Sequence, residues 1–346
     1  MSETHPSRHR GLTLVEILVV VGLIVLLVAL VTVAVNKASQ AAARTQSANA
    51  LREMIGGYNS YSADHNQRLM PGYIDEDDIG PGEAFNPRIY YNDQPVPDIA
   101  LTSYVWRLNE YVGNEWTIFM RDYDNTTLRD RVDLIINGAS DDDETLAGAY
   151  QLAAENPSFG LNSIFVGGNA YFESDIRSSL GIESDLRIAA SRISQVRNPS
   201  ALIVFGPSGQ VDFDPDEETG PYVRSTELLD FPGGFPLGHH ELRAPALRPA
   251  PEAPASNPYA IWDRRQWGLA PGQQGALELA AAAAPALNED EDEEGFGMPI
   301  VRRGIASYPI AHLDGSVSIE DLNELASDMR RWSPFVTGTG PAAITD

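Results

Sequence analysis

Residues 8–35 read RHRGLTLVEILVVVGLIVLLVALVTVAV. From Ile17 to Val35, nineteen consecutive residues carry no charge, and only Gly22 and Thr32 interrupt the Val, Ile, Leu and Ala. A helix of that length spans roughly 30 Å, the thickness of the hydrocarbon core of a bilayer. The pattern predicts a membrane-spanning helix near the N-terminus, preceded by a short basic segment.

Glu16 stands at the edge of this apolar run, where a charged group costs about 3 kcal/mol unless it is neutralised. Removal of the basic segment after Gly11 would give Leu12 a new α-amino group and make Glu16 the fifth residue of the shortened chain. In a bundle of identical helices, the Glu16 carboxylate of one copy could pair with the Leu12 amine of its neighbour. The sequence therefore predicts that assembly neutralises this charge.

The segment Arg10–Val20 resembles the leader and transmembrane start of type IV pilins and type II secretion pseudopilins. The resemblance implies cleavage between Gly11 and Leu12 by a prepilin peptidase and N-methylation of Leu12. It also implies that Glu16 guides docking of the subunit into a filament. The family usually has Phe at the position of Leu12, a site that accepts other apolar residues.

Two other interpretations of the apolar run are a secretory signal peptide and a plain signal anchor on a periplasmic enzyme. A signal peptide would use Ala41–Ala43 as its cleavage site, but the apolar run is longer than the apolar region of such peptides. This interpretation also does not explain Glu16. Arg8 and Arg10 precede the run, and few basic residues follow it directly. This bias predicts a cytoplasmic N-terminus and an exported remainder.

Composition narrows the functional classes. The chain has 346 residues and no cysteine, and 24 Lys and Arg against 49 Asp and Glu give a formal net charge of −25. The absence of cysteine excludes disulfides, thiolate catalysis and cysteine-ligated metals. A chain with this much negative charge repels nucleic acid, so nucleic acid is not an expected partner.

Helical periodicity continues beyond the apolar run. Leu51, Met54 and Ile55 belong to a series of apolar residues at three- and four-residue steps, which predicts one helix from about Leu14 to about Ala63. The expected fold class is α+β, with a long transmembrane and spine helix packed on an antiparallel β-sheet head that carries large loop insertions. The expected divisions are a leader (1–11), a transmembrane helix (12–35), an amphipathic spine helix (36–65), a head (66–230), a Pro/Ala-rich acidic insertion (231–299), and a C-terminal hairpin, helix and tail (300–346).

Within the head, residues 69–156 are expected to be irregular, with one short helix at Ile99–Val112. The block Ile193–Gly206 predicts a short helix and then a buried central strand, because it ends in an unbroken apolar run. Asp314-Gly315 between two strand-like runs predicts a hairpin. The segment Glu320–Trp332 has helical periodicity and predicts a helix after that hairpin.

Three blocks of the head carry a second resemblance. They are Phe159-Gly160-Leu161-Asn162, then Val196–Ser200 with the strand after it, and finally Asp314-Gly315. In this order they resemble the large pseudopilin-like proteins abundant in planctomycetes and related bacteria. That group has a His separated by nine residues from the Asp-Gly pair. The corresponding residue here is Gly304, and His312 lies two residues before the Asp instead.

Calcium is the cofactor that the sequence makes worth considering. Asp212, Asp214, Asp216 and Glu218 place carboxylates at every second residue, as loops that bind hard cations do. Major pseudopilins bind calcium in their heads, so the resemblance points the same way. The alternative interpretation is a solvated acidic loop without a metal.

Catalytic chemistry is not expected. His239-His240-Glu241 lacks the helical spacing of a zinc site, and Gly206–Gly209 does not form a nucleophile elbow. The chain has no Gly-rich phosphate loop with Lys and Ser or Thr, so ATP hydrolysis is assigned to a partner. A second hypothesis is a membrane-anchored periplasmic binding module for polysaccharide that uses the exposed aromatics Trp262, Trp267 and Trp332.

The expected function is that of a pseudopilin, a structural subunit of a type II secretion-like pseudopilus. The implied partners are the prepilin peptidase, copies of this chain and other pseudopilins, and an inner-membrane assembly platform with its ATPase. The chain is expected to cross the inner membrane once, with its N-terminus cytoplasmic and its head periplasmic. The alternative within this class is a type IV pilin of a surface pilus.

Overall fold

The computed structural model describes residues 14–81, 85, 88–121, 126–139, 143–168, 189–212, 222–223, 240–242, 246–248, 261–263, 295–298, 307–321, 325 and 329–334. The chain divides into two compact units, Met1–Thr45 and Gln46–Asp346. This division falls within the segment 36–65 that the sequence predicts to be an amphipathic helix.

The first element is a single helix, α1, at Leu14–Asp64, which contains 51 residues. Its bounds confirm the predicted helix. In the first unit its large apolar side chains are exposed, with fractions between 49% for Val31 and 79% for Leu14. None of the most apolar 18-residue window is buried, and the helix is long and apolar enough to cross a membrane.

In the second unit, α1 contributes one wall of the hydrophobic core. Leu51, Met54, Ile55 and Tyr58 are fully buried, at the spacing that places them on one helix face. The ring of Tyr58 meets the ring of Phe205 edge to face, with 5.5 Å between their centroids. The periodicity read from the sequence therefore identifies the buried face of the helix correctly.

Small antiparallel sheets follow α1, an arrangement compatible with the expected α+β class, and the largest of them contributes residues to the core. The largest sheet has four strands in the order β11-β10-β4-β3, and the others are β1-β2, β6-β5-β9 and β7-β8. All five residues of β4 are buried, as predicted for a central strand. The strands are β1 (Tyr90–Tyr91), β2 (Gln94–Pro95), β3 (Phe159–Leu161), β4 (Ile203–Pro207), β5 (Gly209–Asp212), β6 (Tyr222–Val223), β7 (Ala246–Arg248), β8 (Ile261–Asp263), β9 (Gly295–Met298), β10 (Ser307–His312) and β11 (Val317–Asp321).

The predicted helix at 99–112 is present in three pieces. They are α2 (Asp98–Leu101), α3 (Tyr104–Asn109) and a 3₁₀ turn at Glu110–Val112. Ser103 interrupts the helix because its backbone is extended and its hydroxyl accepts a hydrogen bond from the Val105 amide. Such N-caps begin a new helix rather than continue an old one.

The prediction that residues 69–156 are otherwise irregular is wrong. The structure has α4 at Thr126–Leu134 and α5 at Asp143–Glu155. Asp143 and Glu144 lie in the first turn of α5, where carboxylates are favoured by the helix dipole. Ala149, Tyr150 and Ala153 form the buried face of α5.

The C-terminal hairpin is confirmed. Strands β10 and β11 are antiparallel, with Ala311 opposite Val317, and Gly315 in the turn has a φ of +90°. The predicted helix at 320–332 is wrong at its start, because Glu320 and Asp321 belong to β11. A 3₁₀ turn occupies Met329–Arg331.

The predicted insertion at 231–299 lies mostly outside the described residues. Within it, β7 pairs with β8, and β9 pairs with β5. Residues 240–242 pass beside β3, where Leu161 and Glu241 form a parallel bridge. The insertion therefore contributes backbone to the second unit at these points.

Candidate functional site

The N-terminal half of α1 is the first candidate site. Glu16 lies in the first turn of the helix, where the dipole favours a carboxylate, and its neighbours Val15 and Ile17 are exposed. The predicted processing residues Gly11 and Leu12 lie outside the described residues. What the described residues show is a carboxylate directly before a long exposed apolar helix surface.

The three sequence blocks of the head meet around β4. The side chain of Asn162 is buried, and its Nδ2 donates to the carbonyl oxygens of Ile203 at 3.0 Å and Trp332 at 2.9 Å. Its backbone amide donates to the Val204 carbonyl at 2.9 Å. Asn162 thus connects the first block both to β4 and to the C-terminal segment.

The second and third blocks also contact each other. The amide of Asp314 donates to the Pro199 carbonyl at 3.2 Å, and the amide of Leu313 donates to the Leu202 carbonyl at 3.1 Å. The Asp314 carboxylate accepts from the amide and hydroxyl of Ser316 at 2.9 and 2.6 Å. Partial burial raises the pKa of Asp314, but the hydrogen bonds from Ser316 outweigh it, and the net pKa is lowered. The turn is therefore held in place by the loop before β4.

Gly160 in the first block allows a close approach of two chain segments. A Cβ at this position would lie 2.2 Å from the carbonyl oxygen of Glu241 and 2.3 Å from its carbonyl carbon. On the other side of β3, Gly160 pairs with Gly206 of β4. The backbone at residue 241 can thus cover the edge of β3 only if residue 160 has no side chain.

A polar network lies beside the three sequence blocks that meet around β4. The Nε2 of His312 is 2.7 Å from the Ser318 Oγ, which donates to the Glu320 carboxylate at 2.6 Å. Arg331 donates from a terminal guanidinium nitrogen to the other Glu320 oxygen at 2.6 Å. Because Ser318 gives its one proton to Glu320, Nε2 of His312 is the donor to Ser318. Sequence reasoning missed this network, although Ser318 and Glu320 are two residues apart and share one face of β11.

His312 is only 3% exposed, and this burial sets its protonation state. Burial lowers the pKa of His312, against the opposing effect of Glu320, with Arg331 lowering it further and Asp314 raising it. The folded chain therefore favours the neutral imidazole. In the unfolded chain the pKa returns to about 6.5.

Replacing His312 with Gln is expected to reduce the sensitivity of the fold to acid. Between the lowered folded pKa and about 6.5, the unfolded state binds the proton more tightly, so wild-type stability falls as the pH decreases. His312→Gln keeps a donor toward Ser318 but cannot be protonated. Urea unfolding measures the free energy of unfolding at about pH 7 and pH 5, and its decrease between these two pH values should be smaller for the variant than for the wild type. Equal decreases would contradict the assignment of a neutral His312 in the folded chain.

Replacing Asn162 with Ala is expected to destabilise the second unit by about 2 kcal/mol, because two buried carbonyl oxygens lose their donor. The C-terminal segment at Trp332 should also become more sensitive to protease. Denaturant unfolding and limited proteolysis measure the two effects. Asn49→Ala, at an exposed position of α1, is the control and should change stability little; an equal effect of both substitutions would refute the role of Asn162.

The other predicted sites have mixed outcomes. Asp212 is the last residue of β5, whereas Asp214, Asp216 and Glu218 lie outside the described residues. Among the described residues, no group of three or more His, Asp or Glu side chains is placed to hold a metal ion. The prediction of calcium stays a prediction.

The histidine pair and the tryptophans were the remaining candidates. His240 stacks on Tyr73 with 5.8 Å between ring centroids, and Glu241 is buried. Trp332 is fully buried and donates to the Leu325 carbonyl at 2.9 Å, so it is not an exposed glycan platform. Trp262 lies in β8, and Trp267 is outside the described residues.

No family model, curated protein or solved structure matches the chain.

Proposed function

We propose that this chain is a pseudopilin, a structural subunit of a type II secretion-like pseudopilus. The observation that supports the proposal most directly is α1 itself. Its first half presents seventeen large apolar side chains between Leu14 and Val35, all exposed. Its second half supplies Leu51, Met54 and Tyr58 to a folded core. One helix thus serves both as an anchor and as a structural element of the head.

The exposed apolar surface requires a non-aqueous environment. Burying a Val, Leu or Ile side chain is worth about 1.5–3 kcal/mol, so the set as a whole strongly favours lipid or other helices over water. In the proposed cycle, the chain first resides in the inner membrane with its head in the periplasm. Extraction then exchanges lipid contacts for contacts with the same helix of neighbouring subunits.

Pairing of Glu16 with a neighbouring subunit would favour contacts between subunits over contacts with lipid. A prepilin peptidase would cut between Gly11 and Leu12, and the Leu12 amine would be methylated and remain cationic. The Glu16 carboxylate of one subunit would then pair with the Leu12 amine of the next, because an ion pair in an apolar bundle is far less costly than two separate charges. Assembly would be driven by a platform and its ATPase, and this chain would act as a building block without catalytic activity.

Filament location tests the proposal in the native host. Immunoelectron microscopy and shearing of intact cells should find the protein in short filaments that remain in the periplasm. Long sheared filaments would instead support the alternative of a type IV surface pilus. A monomeric protein with an unprocessed N-terminus that binds glycan would replace both with the membrane-anchored binding module.

A further inference from the structure

Asn137 and Gly138 form the one Asn-Gly pair in the sequence. They lie in a π-type turn at Ile135–Ala139, directly after α4, and both are exposed. The backbone is not helical at either residue: Asn137 has a φ of −87° and a ψ of 17°, and Gly138 has a φ of 107° and a ψ of 21°. Glycine leaves its own backbone nitrogen unobstructed, so an exposed Asn before Gly is the arrangement in which an asparagine amide is most easily lost.

The loss of this amide needs only the chain, hydroxide and water. Hydroxide removes the amide proton of Gly138, and the nitrogen attacks the side-chain carbonyl carbon of Asn137. The new N–C bond closes a succinimide ring, while the bond from that carbon to Nδ2 breaks and the nitrogen leaves as ammonia with a proton from water. Water then adds to either ring carbonyl and opens the ring to aspartate or isoaspartate. The net change is uptake of water and release of ammonia.

The backbone of this turn can reach the geometry that the attack requires. At a ψ of 17° the Gly138 nitrogen points away from the Asn137 side chain, whereas ring closure needs both on the same side of the Cα–C bond. Turning over the peptide plane between the two residues brings the nitrogen to that side and moves φ of Gly138 from 107° to a negative value. Glycine adopts both signs of φ about equally well. A Cβ built at Gly138 meets nothing within 4 Å, so the space beside its Cα is open.

The side-chain amide of Asn137 connects α4 to the β1–β2 hairpin. Asn92, in the turn of the hairpin, donates from Nδ2 to the Oδ1 of Asn137 at 2.7 Å. Asn137 in turn donates from Nδ2 to the Oδ1 of Asp133 at 2.7 Å. A donor at the side-chain carbonyl oxygen stabilises the negative charge that develops there when a nucleophile attacks the carbon. The contact with Asn92 therefore favours the reaction.

The products of the reaction cannot keep this connection. An aspartate at position 137 has no donor for Asp133, so two carboxylates would face each other where an amide now donates. Like charges four residues apart on a helix are destabilising, and isoaspartate also adds a methylene group to the backbone. The ring of Tyr91 packs on Trp106 with 5.6 Å between centroids, which holds the rest of the hairpin. The expected loosening is confined to the hairpin turn and the end of α4.

Other asparagines in the described part of the chain are poorer candidates. Asn156 and Asn198 precede proline, which has no N–H to become the nucleophile. Asn59 and Asn162 precede serine. Asn59 lies within α1, and Asn162 is buried with its Nδ2 donating to two carbonyl oxygens. The regular backbone of the first and the burial of the second oppose ring closure.

We propose that Asn137 is a site of non-enzymatic deamidation, and that its conversion to aspartate or isoaspartate releases the turn of the β1–β2 hairpin from the end of α4. This inference is independent of the proposed function in filaments.

Incubation of the full-length protein in detergent at mildly alkaline pH, followed by peptide mass spectrometry at successive times, tests the reaction. Asn137 should lose its amide at least about tenfold faster than Asn59 and Asn162, the equivalent of about 1.4 kcal/mol in activation free energy. The rate should rise with pH, because hydroxide removes the Gly138 proton. The product should contain isoaspartate, which an isoaspartyl methyltransferase detects.

Asn137→Asp gives the aspartate form directly and tests the structural consequence. Amide hydrogen exchange of residues 90–95 and 130–139 should be about threefold faster or more in this variant than in the wild type, as expected for the loss of a hydrogen bond. Asn49→Asp introduces the same charge at an exposed position of α1 and should leave exchange in both segments unchanged.

Three results would overturn the proposal. The first is deamidation of Asn59 or Asn162 at a rate equal to or above that of Asn137. The second is formation of aspartate without isoaspartate, which would mean direct hydrolysis of the amide without a succinimide. The third is equal hydrogen exchange of Asn137→Asp and the wild type in the two segments.

Discussion

Glu16→Gln is expected to leave the protein in the membrane but to remove it from filaments. The apolar run that follows is unchanged, so insertion should proceed as in the wild type. In the proposed filament, a neutral amide could not form the ion pair with the Leu12 amine of a neighbouring subunit, and that amine would remain as an uncompensated charge among apolar helices. We expect incorporation into pelletable filaments to fall by at least about tenfold, the equivalent of about 1.4 kcal/mol for each docking step.

The matched control for this prediction is Glu53→Gln. Glu53 is an exposed carboxylate on the same helix, in the part that belongs to the second unit. Its replacement removes the same charge and should leave both membrane insertion and filament formation unchanged. Filaments that contain Glu16→Gln at the wild-type level would show that this carboxylate does not guide docking.

Gly160→Ala is expected to cost about 3 kcal/mol of stability, at the upper end of the usual range for overpacked sites. The added methyl group would overlap the backbone of Glu241, and a backbone cannot rotate away as a side chain can. Either residues 240–242 must leave the edge of β3 or β3 must shift within the sheet. Denaturant unfolding of the full-length protein in detergent measures the loss.

Gly148→Ala is the control for this second prediction. A Cβ at Gly148 in α5 would meet nothing within 4 Å, so the same chemical change should stabilise the helix by about 0.5–1 kcal/mol. Equal stabilities of Gly160→Ala and the wild type would mean that the contact between Gly160 and Glu241 is absent in solution.

The features that sequence predicts well here are those decided within a short window. The helix α1 follows from an apolar run and a three- and four-residue period, and the hairpin follows from Asp314-Gly315 between strand-like segments. The buried strand β4 follows from an unbroken apolar run. In each case, neighbouring residues are sufficient to determine the local structure.

The features that sequence does not predict depend on contacts between distant residues. Asn162 reaches the carbonyl of Trp332, which is 170 residues further along the chain. Nothing near Gly160 indicates that the backbone of Glu241 will pass directly over it. The network of His312 and Arg331 likewise forms only once the hairpin and the C-terminal turn are folded together.

Mass spectrometry of the mature protein tests the central claim most directly. The protein should be purified from membranes of its native host, and its N-terminal peptide should be sequenced. The account predicts a chain that begins at Leu12 and carries one additional methyl group on its amine. A chain that still contains residues upstream of Leu12, or one that begins after Ala43, would contradict it.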